Sequence, residues 1–395
     1  MEFSRRKLLA ATGSIGAATL FTPFIRPSYA QAGALKVGLL LPYSGTFAPL
    51  GEAITRAMEL YVKEQGGKIA GRDITFVKVD DESAPPKATE NTTKLIQGEK
   101  ADVLMGTVHS GVAMAMVKIA KEEGIPTIIP NAGADQISRG MCGENIFRSS
   151  FSNGQVGLAT GEAMLKAGLK TAVTITWKYA AGEESVGGFK RAFTKGGGTV
   201  MKDITIPFPD VEFQSALAEA ASLKPQAIYV FFSGGGALKF IKDYAAAKLN
   251  ETIPLWGPGF LTDGVEQAAG AAGDGIKTVL HYAEGLDNPE NKAFVKKFSD
   301  AYKIAPDVFA VQGWDAMQLL AIGLKATGGD ISKRKELYAA MAKAEFASPR
   351  GPFKLGSSHN PIQNFYLREL RGGTNKLLGL ATAGLADDTT GCKLG

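Results

Sequence analysis

Short apolar runs alternate with amphipathic runs along almost the whole chain from Lys36 onward, and this alternation constrains the fold most strongly. Apolar residues recur at three- and four-residue spacing in the amphipathic runs, which is typical of helices that pack against a core. The apolar runs are nearly continuous, which indicates strands that are buried on both faces. Repeated strand–helix units of this kind predict an α/β protein with parallel, doubly wound sheets.

The alternation forms two successive series, which predict two sheets. The first predicts strands at residues 37–41, 74–79, 103–105 and 126–129, and helices at 51–65, 87–97 and 111–123. The second, after Ser150, predicts strands at 172–176, 227–232 and 254–256, and helices at 153–166, 187–195, 212–223 and 237–248. The chain ends with a predicted strand at 276–283, helices at 290–302, 308–325 and 332–343, and a strand at 365–370. Because no long polar linker separates the series, we expect two lobes joined by several short crossings.

The first thirty residues are typical of a targeting segment. Arg5 and Arg6 precede a mild apolar stretch rich in glycine and alanine, and small residues end the segment at Ala30. This pattern resembles a twin-arginine export signal that is cleaved near Ala30, with Ala32 as a second option. An uncleaved anchor helix would need about 20 strongly apolar residues, and Pro23 and several glycines interrupt the stretch. We therefore expect a periplasmic mature protein.

Charge and cysteine content exclude several classes of function. The chain has a net charge of +5, with 44 Lys and Arg against 39 Asp and Glu. Removal of the first thirty residues leaves a body of about +2. A body so close to neutral gives no electrostatic reason to expect a nucleic acid or a lipid surface as partner. Cys142 and Cys392 are too few for a disulfide scaffold or a zinc site, but they could form one bridge.

Motifs for catalysis, phosphate binding or metal binding are weak or absent. The sequence contains no G-x-S-x-G, Walker A or H-E-x-x-H pattern, and its three histidines are far apart. The glycines at 234–236 lack dinucleotide-binding spacing and favour a tight turn between a strand and a helix. The acidic run at 80–82 is at a predicted strand end before two prolines, which favours a solvated turn or a helix cap over a metal site. We therefore predict no catalytic residues, metal or cofactor.

The strongest local signal is the segment from Gly106 to Gly111, between a predicted strand and a predicted helix. Amides at a helix N-terminus carry partial positive charge, and open α/β sheets bind ligands at this edge. Ser110 adds a hydroxyl donor, so the segment suits a carboxylate. The alternative is that Ser110 caps its own helix. His109 either lies beside a ligand or has a structural role.

The order of several short fragments gives the chain a family resemblance. Over about residues 35–380 it resembles the periplasmic solute-binding proteins of ABC importers, of the leucine/isoleucine/valine-binding type. The matching fragments are Lys36-Val37-Gly38, Pro42-Tyr43-Ser44-Gly45, Asp80-Asp81, Gly106 with Ser110, Ile128-Ile129-Pro130-Asn131-Ala132, Asn145-Ile146-Phe147-Arg148-Ser149-Ser150, Trp256-Gly257-Pro258 and Trp314-Asp315-Ala316. The resemblance implies two Rossmann-like lobes, three hinge crossings and a ligand held between closing lobes.

The resemblance also implies a ligand site. Amino-acid-binding members hold the ligand carboxylate with the serine that matches Ser110 and with nearby amides, here those of Gly111 and Ala132. They add a threonine, which is replaced here by Gly133, and a tyrosine that covers the ligand, here Ala181. The acidic residue that receives the ligand ammonium is replaced by Gly259. The carboxylate contacts are therefore expected, while the ammonium partner is missing.

Rings at predicted cleft positions complete the ligand hypothesis. These rings belong to Tyr43, Phe47, Trp177, Tyr179, Phe232, Trp256, Phe260 and Phe309. About half are expected in the core, with Phe232 and Trp256 foremost among them. An ammonium buried without an acid costs several kcal/mol. We therefore expect an aromatic monocarboxylate such as a benzoate, hydroxybenzoate or cinnamate. An aliphatic amino acid or amide, with Glu183 or Glu184 as the acid, is the alternative, and a periplasmic enzyme is disfavoured.

The resemblance also assigns the organisation of the chain. We expect lobe 1 to comprise residues 35–150 and 281–350, and lobe 2 residues 151–280 and 351–395, after a signal peptide at residues 1–30. The expected partners are a small carboxylate and the membrane permease subunits of an importer, and the protein is expected to be a monomer. A bridge between Cys142 and Cys392 would hold the C-terminal tail near the hinge, and two free thiols are the alternative.

Overall fold

The structure, a computed structural model, describes residues 33–394. The predicted signal peptide at residues 1–30 lies outside these residues. Within residues 33–394, no helix is both long enough and apolar enough to cross a membrane.

The first sheet has six strands in the order β2-β3-β1-β4-β5-β6. All neighbouring pairs are parallel except β2 with β3, which form an antiparallel hairpin. The strands are β1 (Leu35–Leu41), β2 (Lys68–Ile69), β3 (Arg72–Asp80), β4 (Val103–Gly106), β5 (Thr127–Ile129) and β6 (Ile146–Arg148). Strands β4, β5 and β6 are buried throughout, as parallel strands covered on both faces must be.

The second sheet has seven strands in the order β15-β14-β11-β10-β9-β7-β8. Its strands are β7 (Thr171–Lys178), β8 (Thr199–Pro207), β9 (Ala227–Phe231), β10 (Leu255–Pro258), β11 (Lys277–Leu280), β14 (Gln363–Arg371) and β15 (Thr374–Leu385). The first five are parallel, and β14 and β15 join them as an antiparallel edge. A separate hairpin pairs β12 (Glu345–Ser348) with β13 (Gly351–Lys354).

Eleven α-helices in the described residues flank the two sheets. They are α1 (Ala48–Glu64), α2 (Pro85–Thr93), α3 (Ser110–Glu122), α4 (Asn153–Lys166), α5 (Ala180–Lys195), α6 (Gln214–Ser222), α7 (Gly234–Ala246), α8 (Glu266–Ala269), α9 (Pro289–Tyr302), α10 (Val308–Thr327) and α11 (Arg334–Ala342). Helices α9 and α10 return to pack on α1, beside the first sheet, while α4 and α5 pack on each other beside the second. We call the first sheet with α1–α3 and α9–α11 the first lobe, and the second sheet with α4–α8 the second lobe.

The chain passes between the two sheets three times within the described residues. It crosses after β6, returns after β11, and crosses again between α11 and β14. The two-lobed α/β fold predicted from the alternating pattern is therefore confirmed. Since each parallel strand leads from its carboxyl end into a loop, the loops after β4, β5 and β6 gather at one edge of the first lobe. In the second lobe, the loops after β7, β9 and β10 likewise gather at one edge of the sheet.

The sequence predictions fail mainly at exposed edges. The prediction of purely parallel sheets is wrong for β2, β14 and β15, which are antiparallel. Strand β8 was not predicted because most of its residues are exposed at a sheet edge, so its sequence resembles a polar segment. Helix α5 begins at Ala180, seven residues before the predicted start, because the polar residues of its first turns hide the helical pattern.

Cys142 and Cys392 form a disulfide with a Cα–Cα distance of 5.6 Å. Cys142 is in the loop before β6, and Cys392 is near the end of the tail that follows β15. Arg139 adds an ion pair to Asp388 of the same tail, with 3.1 Å between Nη2 and Oδ2. The bridge closes a loop across 250 positions of sequence and joins the tail to the first lobe.

Loss of this bridge should destabilise the protein. A disulfide that closes a long loop restricts the unfolded chain and typically contributes about 2–5 kcal/mol. We expect the double variant Cys142→Ser/Cys392→Ser to lose free energy of unfolding on that scale, measured by urea denaturation. Reduced wild-type protein is the matched control and should have the stability of the variant. Two reactive thiols in unfolded, unreduced wild-type protein would contradict the assignment.

Candidate functional site

A small cavity with about 20 Å³ of accessible space lies between the carboxyl edges of the two sheets. Both lobes and one crossing contribute to its wall. The lining residues are Phe47, Val108, Ser110, Asn131, Gly133, Phe151, Asn153, Tyr179, Ala181, Phe231, Ser233, Phe260 and Phe309. This space is about that of one water molecule, far below the range for small-molecule sites, so a ligand can enter only when the surrounding side chains move apart.

The structure brings together seven of the residues that the sequence analysis selected for ligand binding. These are Phe47, Ser110, Gly133, Tyr179, Ala181, Phe260 and Phe309. The other six do not line the cavity, namely Tyr43, His109, Gly111, Ala132, Trp177 and Gly259.

Ser110 is the first residue of α3, and its hydroxyl is not used to cap the helix. The cap is His109, whose Nδ1 accepts from the amides of Gly111 at 3.0 Å and Val112 at 3.4 Å. The alternative that Ser110 caps its own helix is therefore wrong. The expectation of a free Gly111 amide also fails, because that amide already donates to His109. Ser110 is left as a polar donor on the cavity wall.

Asn153, the first residue of α4, connects Ser110 to a buried acid. Its Nδ2 donates to Ser110 Oγ at 3.2 Å and to Glu184 Oε2 at 2.8 Å. Because Ser110 Oγ accepts from Asn153, its own proton remains available to donate to a ligand. Glu184 also accepts from the Asp135 amide at 2.9 Å. Burial raises the pKa of Glu184 to about 7.

Gly133 shows why the family's threonine has no place here. A Cβ at Gly133 would lie 2.4 Å from Asn153 Oδ1 and 2.5 Å from Phe151 Cε2. Asn153 and Phe151 therefore fill the space that a side chain at position 133 would need, and both of them line the cavity.

Six aromatic rings form most of the remaining wall. Phe260 is central among them, with ring centroids 4.6 Å from Phe151, 6.0 Å from Phe309 and 6.2 Å from Phe231. Tyr179 and Phe47 complete the set. Ring pairs at such distances contribute about 0.5–1.5 kcal/mol beyond area burial. Such a wall offers stacking and edge contacts to a flat ligand.

The lining carries no formal charge. Among the described residues that face the cavity, none is a lysine, an arginine or a carboxylate. Its polar side chains are those of Ser110, Asn131, Asn153, Tyr179 and Ser233. Asn131 is already engaged, since its Nδ2 donates to Gln312 Oε1 at 2.7 Å. A bound anion would therefore depend on neutral hydrogen-bond donors and helix N-termini.

Two of the predicted site rings, those of Trp177 and Tyr43, do not line the cavity. Trp177 is fully buried, donates from Nε1 to the Asp210 carbonyl at 2.8 Å and packs against Gly236. Tyr43 is half-buried, and its hydroxyl forms a hydrogen bond with Thr55 Oγ1 at 2.9 Å. Phe232 and Trp256, which were expected to be core residues, are buried and do not line the cavity.

Gly259 and Ala132 also need correction as ligand contacts. A Cβ at Gly259 would lie 2.1 Å from Arg368 Nη2 and 2.5 Å from Leu280 Cδ2, so this position faces the core of the second lobe. The Ala132 amide donates to the Thr107 carbonyl at 2.9 Å and is not free for a ligand.

The other motifs that the sequence analysis considered have structural roles. Gly234 has a φ of +60° and begins α7, as expected for a tight turn after a strand. Asp81 is not solvated as expected; it is 1 % exposed and accepts from Thr107 Oγ1 and the Ser83 amide. Within residues 33–394, no group of three or more His, Cys, Asp or Glu could hold a metal ion.

Sequence reasoning missed six lining residues. They are Val108, Asn131, Phe151, Asn153, Phe231 and Ser233. Most of them are in the short segments that follow β4, β5, β6 and β9. The carboxyl-end rule for parallel strands, applied to every strand as it was to β4, would have selected these segments.

His109 should make stability depend on pH. Burial lowers its pKa from the usual 6.5 to about 4, since the ring packs 4.9 Å from Tyr179 and 5.0 Å from Phe208. Below about pH 6.5 the unfolded chain binds a proton that the folded protein excludes, so stability falls as the pH falls from 6.5 towards 4. Asparagine is a good N-cap that does not titrate. We expect the stability advantage of wild type over His109→Asn to shrink across this window, measured by urea denaturation. A difference that is constant with pH would contradict this assignment.

Comparison with known proteins adds independent information on this fold and cavity. The chain is 30 % identical over 352 residues to the Leu/Ile/Val-binding protein homolog 6 of Brucella melitensis, which covers 87 % of this chain and 89 % of the relative. A solute-binding protein of an ABC transporter from R. palustris, solved in complex with benzoate, shares 77 % identity and a TM-score of 0.90. That match covers 92 % of this chain and all of the solved one.

A second solved structure is more distant. The solute-binding protein of an ABC transporter from Rhodopseudomonas palustris BisB5, in complex with 3,4-dihydroxybenzoic acid, is 30 % identical with a TM-score of 0.85, and the match covers 90 % of this chain and 98 % of the other. The sequence profile of the periplasmic binding protein family matches residues 34–375. These relatives are named as binding proteins, as the sequence analysis expected. The chain therefore belongs to the periplasmic binding protein family.

Proposed function

We propose that this protein is the extracytoplasmic solute-binding component of an ABC importer and that its ligand is an aromatic monocarboxylate of the benzoate or hydroxybenzoate type. The cavity carries the proposal: six rings surround it, and Ser110 offers a hydroxyl donor without a competing charge. The 77 % identical relative solved with benzoate supports the same ligand class. The conclusion rests on the match between a flat anion and an uncharged, ring-lined wall.

The lining argues against an α-amino acid as ligand. Its ammonium group would be buried without a facing carboxylate, at a cost of several kcal/mol. Glu184, one of the two acids considered as a substitute, does not line the cavity and already accepts from Asn153 and the Asp135 amide. Glu183, the other, is exposed at the first turn of α5 and does not line the cavity.

Membership of the periplasmic binding protein family supports a role in transport. We propose a periplasmic monomer that delivers its ligand to membrane permease subunits after export and cleavage near Ala30. We also propose the lobe boundaries given above, 35–150 with 281–350 and 151–280 with 351–395. The two sheets lie in different lobes, and α9 and α10 pack on α1 of the first lobe, which supports this division of the chain.

Calorimetry with three ligands tests the ligand class. We expect purified mature protein to bind benzoate and 4-hydroxybenzoate with micromolar or tighter affinity, and leucine at least a hundredfold more weakly, because an unpaired ammonium costs several kcal/mol. Micromolar binding of leucine with none of either aromatic acid would overturn the assignment and favour the amino-acid alternative.

The Ser110→Ala variant tests the carboxylate contact. A hydrogen bond to a charged group contributes about 1.5–3 kcal/mol, so affinity for benzoate should fall roughly tenfold to a hundredfold. Ser222→Ala, at an exposed serine at the end of α6, is the matched control and should bind as wild type does. An unchanged dissociation constant for a folded Ser110→Ala protein would remove Ser110 from the site.

A further inference from the structure

A second hydroxyl on the cavity wall has no hydrogen-bond partner in the described structure. Ser233, in the second lobe, is 6 % exposed, lines the cavity and leaves its Oγ buried and unpartnered. A buried hydroxyl without a partner is costly, so native structures rarely leave one unpaired without a reason. Ser110 belongs to the first lobe, whereas the Ser233 hydroxyl belongs to the opposite wall of the cavity.

The position of Ser233 in the chain explains why its hydroxyl is free. Ser233 is the N-cap residue of α7, where a serine normally accepts from the amide two or three residues further on. Here the amide of Gly236 donates instead to Thr46 Oγ1 of the first lobe, at 3.1 Å. Thr46 therefore takes over the capping role, and the Ser233 hydroxyl is released towards the cavity.

Glycines at the start of α7 allow Thr46 to approach so closely. A Cβ at Gly234 would lie 2.2 Å from the Thr46 carbonyl oxygen, and one at Gly235 would lie 3.4 Å from Thr46 Oγ1. The glycines at 234–236 therefore do not form a phosphate loop. They form the surface on which the first lobe contacts the N-terminus of α7.

A carboxylate in this cavity needs more donors than Ser110 alone supplies. Two carboxylate oxygens offer about four acceptor positions, and a buried anion without a cation depends on filling them. In the first lobe, the amides of Gly111 and Val112 are committed to His109, and the Ala132 amide to Thr107. The second lobe offers a free hydroxyl at the N-terminus of a 13-residue helix, where partial positive charge favours an anion.

We propose that Ser233 donates a hydrogen bond to the ligand carboxylate from the second lobe, opposite Ser110, and that Thr46 is the positioning residue that keeps the Ser233 hydroxyl free. The inference rests on the proposed function, since it requires an aromatic monocarboxylate as ligand. The carboxylate then bridges the two lobes through one serine on each side. Both lobes then bind the carboxylate of the ligand, and Ser233 does not bind a substituent on the ring.

The Ser233→Ala variant separates this role from recognition of the ring. Affinities for benzoate and 4-hydroxybenzoate should fall by the same factor, roughly tenfold to a hundredfold, because both ligands carry the carboxylate. Calorimetry measures both, with Ser222→Ala as the control and thermal unfolding as the check on folding. A loss confined to 4-hydroxybenzoate would mean that Ser233 binds the ring hydroxyl and would overturn the inference, as would unchanged affinity for both acids. Wild-type protein that binds neither acid would instead reject the proposed function itself.

Thr46→Val tests the positioning role through non-additivity. This variant keeps the shape of Thr46 but returns the Gly236 amide to Ser233, whose hydroxyl should then cap α7. We expect Thr46→Val to lower benzoate affinity several-fold in wild type and clearly less in the Ser233→Ala background. The loss of affinity that remains in the Ser233→Ala background measures the effect of the hydrogen bond between Thr46 and Gly236 alone. Equal losses in both backgrounds would show that Thr46 does not act through Ser233 and would overturn its assignment.

Discussion

An anion site built without a cation is the constraint on which the architecture of the cavity depends. Neutral hydroxyls, amides and helix N-termini must replace a lysine or arginine, and each must be held in place by a neighbour. His109 fixes the start of α3, Asn153 orients Ser110, and Thr46 occupies the capping amide of α7. Of these three residues only Asn153 touches the cavity, and together they determine which donors reach it.

Two residues of the cavity wall, Phe47 and Tyr179, also connect the two lobes. Phe47 of the first lobe packs against Phe208 of the second, with ring centroids 5.5 Å apart, and His109 packs against Tyr179 at 4.9 Å. The Asp135 amide donates to Glu184 across the same interface. Because Phe47 and Tyr179 contribute both to the contact between the lobes and to the cavity wall, occupancy of the cavity and closure of the lobes are energetically linked.

The fold was largely predictable from the sequence because buried parallel strands and amphipathic helices leave strong periodic patterns. An edge strand such as β8 does not, since most of its residues face solvent. Within the site, Ser110 could be placed because it follows a parallel strand at a sheet edge, whereas Gly133 was placed through the family resemblance. Gly259 was misassigned because alignment to a motif does not show where a Cβ would point. Ser233 was missed because its free hydroxyl depends on Thr46, 187 positions earlier in the sequence.

A crystal structure of the mature protein with bound benzoate tests the central claim most directly. The account predicts benzoate in the interlobe cavity, with its carboxylate within hydrogen-bonding distance of Ser110 Oγ and Ser233 Oγ and its ring between Phe260 and the neighbouring aromatic side chains. Benzoate bound outside this cavity, or with its carboxylate among the phenylalanine rings and away from both serines, would contradict it.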